Sequence, residues 1–216
     1  MRPPILRSSL STSRKASPSS APQRPEDCLR DTYPRPLAGL DDNTPFHGGH
    51  RNNPQIEHAI STLLTLFRTR DLPIFHVKHN SRDPSSTLHP SHPGNAIFPF
   101  AVPSPSRPID KPLYEKSVHS AFIGTLLEAD LHARGITRLF VCGFTSNMCV
   151  NTTVRMAENL GFEVFVVEDA CATFDRLGPD GVLRRAEDVH AYAMSDLHGE
   201  FCTVIKASDV QGLLSN

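Results

Sequence analysis

The sequence predicts an α/β fold with a mostly parallel sheet covered by helices on both faces. Three observations carry that expectation. Helical periodicity alternates with short apolar runs rich in strand formers. The alternation repeats several times, and strand and helix lengths suit right-handed crossovers between parallel strands. At 216 residues the chain is long enough for one full core and argues against two independent domains. In such sheets the ligand lies at the carboxyl ends of the strands.

Taken in order, residues 1–25 carry Arg2, Arg7, Arg14, Lys15 and Arg24 among many serines and prolines, with no acidic residue. That composition builds no core and reads as a disordered tail. It also has the Arg-rich, acid-poor look of an organelle transit peptide, although its prolines interrupt an amphipathic helix. In "NNPQIEHAISTLLTLF", Asn53 can cap and Pro54 suits a first helical position. Ile56, Ala59, Ile60, Leu63, Leu64 and Phe67 fall on one helical face. "LPIFHVKH" follows as a buried strand. Residues 80–114 are proline-rich and polar, a loop long enough to be a functional rim or lid.

A helix is expected through "AFIGTLLEADLHARG", stopped at Gly135, then a strand "TRLFVCGF". Next come a helix from about Cys149 to Leu160 closed by Gly161 and a strand "EVFVVEDA". A helix "RRAEDVHAYAMSDLHG", a last strand "CTVIKA" and a helical turn "SDVQGLL" complete the chain.

Lys+Arg number 22 against 23 Asp+Glu, a formal charge of −1, so no basic field of the kind nucleic acid or anionic lipid requires is present. The expected partner is a small molecule. Five cysteines, at 28, 142, 149, 171 and 202, show no CxxC pair and read as reduced intracellular thiols. The expectation is a cytoplasmic protein, or a mitochondrial one if residues 1–25 act as a transit peptide. No run of about 18 apolar residues offers a membrane span.

Cys149 follows a strand and opens a helix, where backbone N–H groups and the helix dipole favour a thiolate and a developing oxyanion. Free cysteine is also common core filler, and position alone does not separate the two. Lys116, in "LYEKSVHSAF", stands just before a helix among apolar and small residues, and an ammonium near a thiol favours the thiolate.

The ordered set Lys116, Ser120-Ala121-Phe122, a strand, Gly143, Cys149-Val150, Thr152, Ala157, Gly161 and Val166-Val167-Glu168-Asp169-Ala170 resembles the isochorismatase-like cysteine hydrolases. Looser matches in "HGGHRNNP", "HPGN" and "LHGEF" extend the likeness over about residues 39–205. The resemblance implies a three-layer α/β/α fold with a Rossmann-like sheet, an Asp-Lys-Cys triad and a homo-oligomer; no cofactor is expected. Cys149 would attack an amide-type carbonyl, or less expectedly a vinyl ether site, and Lys116 would steady the charge. Backbone N–H groups of Thr145 and Cys149 would form an oxyanion hole beside a cis peptide at Phe144-Thr145. His79, His119, Phe122 and Phe144 would line the substrate pocket.

One element departs from the family pattern. The family's first, central strand ends in the triad aspartate, yet the aligned position is Arg35, flanked by Pro34 and Pro36 without an apolar run. The first strand is therefore expected to be missing or degenerate, with residues 1–38 an atypical segment and 39–216 the hydrolase domain. Arginine cannot accept a proton at neutral pH. Asp31, Asp41 and Asp42 are the nearest carboxylates, and turn positions explain them better. A diverged or inactive member, a first strand lost at a wrong start or splice boundary, and a site repaired by another carboxylate all fit. Because residues 1–38 look foreign to an intact motif set, the second fits best.

His76, His79, His89 and His92 invite a metal reading, but the D-x-H pattern of nicotinamidases is not matched, and no metal is expected. His190, His198 and Asp169 are read as structural hydrogen-bonding groups, and Cys142 and Cys171 as packing.

Overall fold

A computed structural model describes residues 50–104, 106 and 113–215. The chain divides into Met1–Pro34 and Arg35–Asn216, and every described residue belongs to the second unit. The expected tail, the degenerate first strand, the boundary after residue 38, Asp31, Arg35, Asp41 and Asp42 lie outside the described residues.

The first helix, α1, spans Ile56–Thr69. Ile56, Ile60 and Leu63 form its buried stripe, at the spacing that puts one face of a helix inward. Gln55, rather than Asn53, occupies the N-cap. Asn53 adopts φ +52, a conformation asparagine tolerates. Its amide donates to the carbonyls of Asp169 (2.8 Å) and Cys171 (3.0 Å). It sews the helix entrance to a strand instead of capping.

Strand β1, His76–His79, pairs in parallel with β2, Leu113–Lys116, in a register that sets His79 beside Lys116. The expected loop over 80–114 thus ends in a strand, and Lys116 closes that strand instead of preceding a helix. Helix α2 covers only Leu127–Ala133. Gly124 at φ +74 breaks the earlier part of the helical pattern, because only glycine takes that conformation without strain. Tyr114 of β2 donates to the Asp130 carboxylate of α2, tying the two together. Burial, with that bond, pushes the Tyr114 hydroxyl up to about 12.

Strand β3, Arg138–Phe144, is followed by helix α3, Asn151–Asn159, strand β4, Glu163–Ala172, and a short antiparallel hairpin, β5 (Arg176–Leu177) with β6 (Leu183–Arg184). Helix α4 spans Ala186–Leu197, β7 Thr203–Ile205 and α5 Ala207–Leu213. The sheet order is β3-β4-β7, all parallel. The hairpin had no signal in the apolar pattern because its strands are two residues long.

Side chains of β4 feed two cores, and the alternation changes face across an irregularity in its pairing with β3 between Val141 and Gly143. Val164 and Val166 join Leu131, Val154, Ala157, Met194 and Leu197 of α2, α3 and α4. On the other face Val167, Ala170 and Ala172 join Ile56, Ile60 and Leu63 of α1 and Val210 of α5. Helices therefore cover both faces, the three-layer α/β/α arrangement expected. Each fully buried aliphatic side chain contributes about 1.5–3 kcal/mol relative to exposure.

Among the described residues, β1 and β3 each have a strand neighbour on one side only. Between them opens a cavity of about 830 Å³, whose walls include Phe75, Val77, Leu139, Phe140 and Val141. No helix among the described residues is long and apolar enough to cross a membrane.

Candidate active site

The chain leaves β3 through a cis peptide at Phe144-Thr145 into a single π-helical turn, Ser146–Val150, before α3 begins. Cys149 lies in this turn, two residues ahead of the α-helix expected to start with it. The Thr145 carbonyl accepts the N–H groups of Met148 (3.1 Å) and Val150 (3.2 Å), passing over that of Cys149.

Two side-chain contacts anchor the turn, and a third holds the Thr173 that one of them uses. Ser146, fully buried, bonds through Oγ to Nδ1 of His190 on α4 at 2.7 Å. The Asn147 side-chain oxygen accepts from Thr173 Oγ1 at 2.6 Å, and the Asn52 side chain accepts from the Thr173 N–H at 2.7 Å. Burial, with a smaller effect of Lys206 and against Glu168, holds His190 below its ordinary 6.5. Asn147, Ser146 and Asn52 carried no periodic or motif signal that separated them from ordinary loop polar residues.

The Cys149 thiol is half-buried and opens on the cavity. Two imidazoles flank it: Sγ lies 3.9 Å from His79 Nδ1 and 3.7 Å from His119 Nδ1. Lys116 is 6% exposed. Its ammonium donates to the carbonyls of Val118 (3.0 Å) and His119 (2.8 Å) and meets His79 Nδ1 at 3.3 Å. Among the described residues no hydrogen bond joins Lys116 directly to Cys149. His79 stands between them. Its carbonyl accepts from the buried Asn95 side chain, which also bonds Asn80 and Leu88. "HPGN" thus pins the long loop to the end of β1.

Burial first, then the charge of Lys116 and a smaller effect of His119, pull His79 below its ordinary 6.5. Phe144 lines the cavity, its ring 5.9 Å from that of Phe98. Phe122 reaches the same cavity from within the core, stacked on Phe162 at 5.9 Å. His119 is exposed at the rim.

The other described thiols sit in different surroundings. Burial pushes Cys142 and Cys202 up to about 11 and Cys171 well above its ordinary value. Cys142 lines the cavity and is exposed there, and the protein packed around its thiol is the cause of the upward shift. His89 and His92 serve their own loop: His89 bonds Ser91 Oγ, and His92 accepts the Gly94 N–H. Among the described residues no group of three or more His, Cys, Asp or Glu side chains converges in a way that could hold a metal. His198 accepts the Val204 N–H, and the Asp169 carboxylate accepts that of Ala207 at the start of α5.

Comparison with known proteins adds four findings. The family model described as the isochorismatase domain matches residues 44–209. The chain is 35% identical to the uncharacterized isochorismatase family protein YrdC of Bacillus subtilis, covering 73% of this chain and 82% of that one. It is 28% identical to nicotinamidase 3 of Arabidopsis thaliana over 73% of this chain and 83% of the relative. Among solved structures, a proposed hydrolase of the isochorismatase family from Chromobacterium violaceum superposes with a TM-score of 0.74 at 40% identity. That match covers 85% of this chain and all of the other.

Proposed function

The chain belongs to the isochorismatase family, and from that premise we propose that it hydrolyses an amide-type C–N bond of a small molecule through a Cys149 nucleophile assisted by Lys116. The observation that carries the proposal is the Cys149 thiol in the turn after β3, open to a cavity of about 830 Å³ and flanked by His79 and His119. The buried Lys116 ammonium lies one side chain away. The family likeness to a nicotinamidase supports a carbon–nitrogen amide as the bond cleaved.

Sulfur attacks the carbonyl carbon and the amine leaves, giving a thioester that water hydrolyses. Negative charge on the carbonyl oxygen is met by the N–H groups of Thr145 and Cys149, since oriented backbone donors stabilise an oxyanion. Lys116, fixed by two carbonyls, contributes a positive field at the thiol that costs no reorganisation when charge develops. Phe144, Phe122 and the cavity walls bind the apolar part of the substrate.

The test is hydrolysis of a panel of small amides and carbamoyl compounds by the full chain and by its Cys149→Ala variant. Turnover of one compound that disappears in the variant, with a thioester trapped at Cys149 by mass spectrometry, is the expected result. Turnover that survives in Cys149→Ala overturns the reading. So does the absence of both turnover and a thioester across the panel, which leaves a ligand-binding relative.

A further inference from the structure

We propose that His79 takes the proton from the Cys149 thiol and returns it to the leaving nitrogen, so that the working pair is Cys149–His79 with Lys116 as its positioning cation. The inference rests on Cys149 as nucleophile and adds the group that handles its proton.

A base needs a lone pair within reach of the thiol. Among the described residues only two side chains bond to Sγ, His79 and His119, and neither is a carboxylate. Lys116 as an ammonium has protons but no lone pair. Its three protons are directed at Val118 O, His119 O and His79 Nδ1. Because an ammonium can only donate, the Nδ1 it meets must be an acceptor, which places the His79 proton on Nε2. The lone pair that faces Lys116 is the same one that faces sulfur.

His79 is also the better held of the two rings. It closes β1 in register with Lys116, and its carbonyl is bonded by Asn95. His119 is exposed and offers Lys116 its backbone oxygen rather than its ring. The groups facing His79 are Lys116 from β2, His119 from the following turn and Cys149 from the π-helical turn. Burial, with the charges of Lys116 and His119, favours the neutral ring, whose Nδ1 lone pair can accept a proton. At 3.3 Å the Lys116–His79 contact is the longest of the three that Lys116 makes. Lys116 can release it and remain anchored by its two carbonyls when Nδ1 takes a proton.

The steps balance. The Sγ proton moves to Nδ1, sulfur forms a C–S bond to the carbonyl carbon and the carbonyl π pair moves to oxygen. As that pair returns, the C–N bond breaks and Nδ1 gives its proton to the departing nitrogen. Water then loses a proton to Nδ1 and attacks the thioester carbon. The C–S bond breaks and sulfur recovers the proton. One amide and one water become one acid and one amine.

The experiment uses the full chain and three variants, His79→Gln, His119→Gln and Cys149→Ala, with the compound turned over in the amide panel and with iodoacetamide as a probe of Cys149 by peptide mass spectrometry. Loss of a general base costs about 10²–10⁴ in rate, so His79→Gln is expected to lose that much kcat and most of its alkylation rate at pH 7, with the larger loss in His79 than in His119. If His79→Gln keeps its rate to within about threefold, against the 10²–10⁴ expected of a lost base, while Cys149→Ala is inactive, His79 is not the base and the cysteine reading stands. A larger loss in His119→Gln also overturns the proposal. Activity retained in Cys149→Ala removes the cysteine reading itself. Imidazole NMR on the unaltered chain is independent of variant folding: His79 is expected as the Nε2–H tautomer with a titration midpoint below 6.5, and an Nδ1–H tautomer overturns the assignment.

Discussion

Environment, more than residue type, sets Cys149 apart from the other described cysteines. Four described cysteines are free, yet three have thiols driven upward by burial, to about 11 for Cys142 and Cys202 and well above the ordinary value for Cys171. Thiolate is the reacting form, so these three are poor nucleophiles at neutral pH. Iodoacetamide at pH 7 is expected to label Cys149 ahead of Cys142, Cys171 and Cys202, as read by peptide mass spectrometry. Equal labelling of Cys142, which is exposed on the cavity, would show that its surroundings do not suppress it. The order of the motif residues singled out Cys149 and Lys116 as candidates, and the structure places both on the same cavity. That His79 lies between them was not legible in that order, because β1 and β2 are separated in sequence by the long loop and only their parallel register sets His79 beside Lys116.

At the scale of elements, the π-helical turn depends on α4 through the Ser146–His190 bond. His190 is depressed chiefly by burial, so the unfolded chain binds its proton more readily than the folded one. The sign follows: this contribution is present above the unfolded value of about 6.5 and is lost as pH falls toward and through the lower folded value. Denaturant unfolding at pH 7 and pH 5.5 is expected to show lower stability at the acidic value. The pH dependence should be shallower in His190→Gln, since His79, also depressed, keeps part of it. An unchanged slope in His190→Gln would remove His190 as a contributor. The periodic helices α1, α3 and α4 were visible in the sequence because their buried stripes are long. The shortened α2 and the hairpin were not, because Gly124 and two-residue strands act below the reach of a periodic pattern.

For the molecule as a whole, strands differ in how they are held. β4 has strand partners on both sides and cores on both faces, whereas among the described residues β1 and β2 pair only with each other and border the cavity. Backbone protection follows buried contacts and pairing, so amides of β4 are expected to exchange with deuterium more slowly than those of β1 and β2. Hydrogen-exchange mass spectrometry that found β1 as protected as β4 would show that the border of the cavity is closed in solution.

The alternation of helix and strand, the two-faced burial along β4 and the ordered residues from Lys116 to Ala170 were determined by the sequence itself, since each depends on local spacing and on the family pattern. Only the tertiary structure decided which groups meet at the thiol. Sulfur, two imidazoles and an ammonium come together from β1, β2, the turn after it and the turn after β3. Parallel strands bring their carboxyl ends to one edge, and the contacts made there depend on register and cavity shape, neither of which is written in local periodicity.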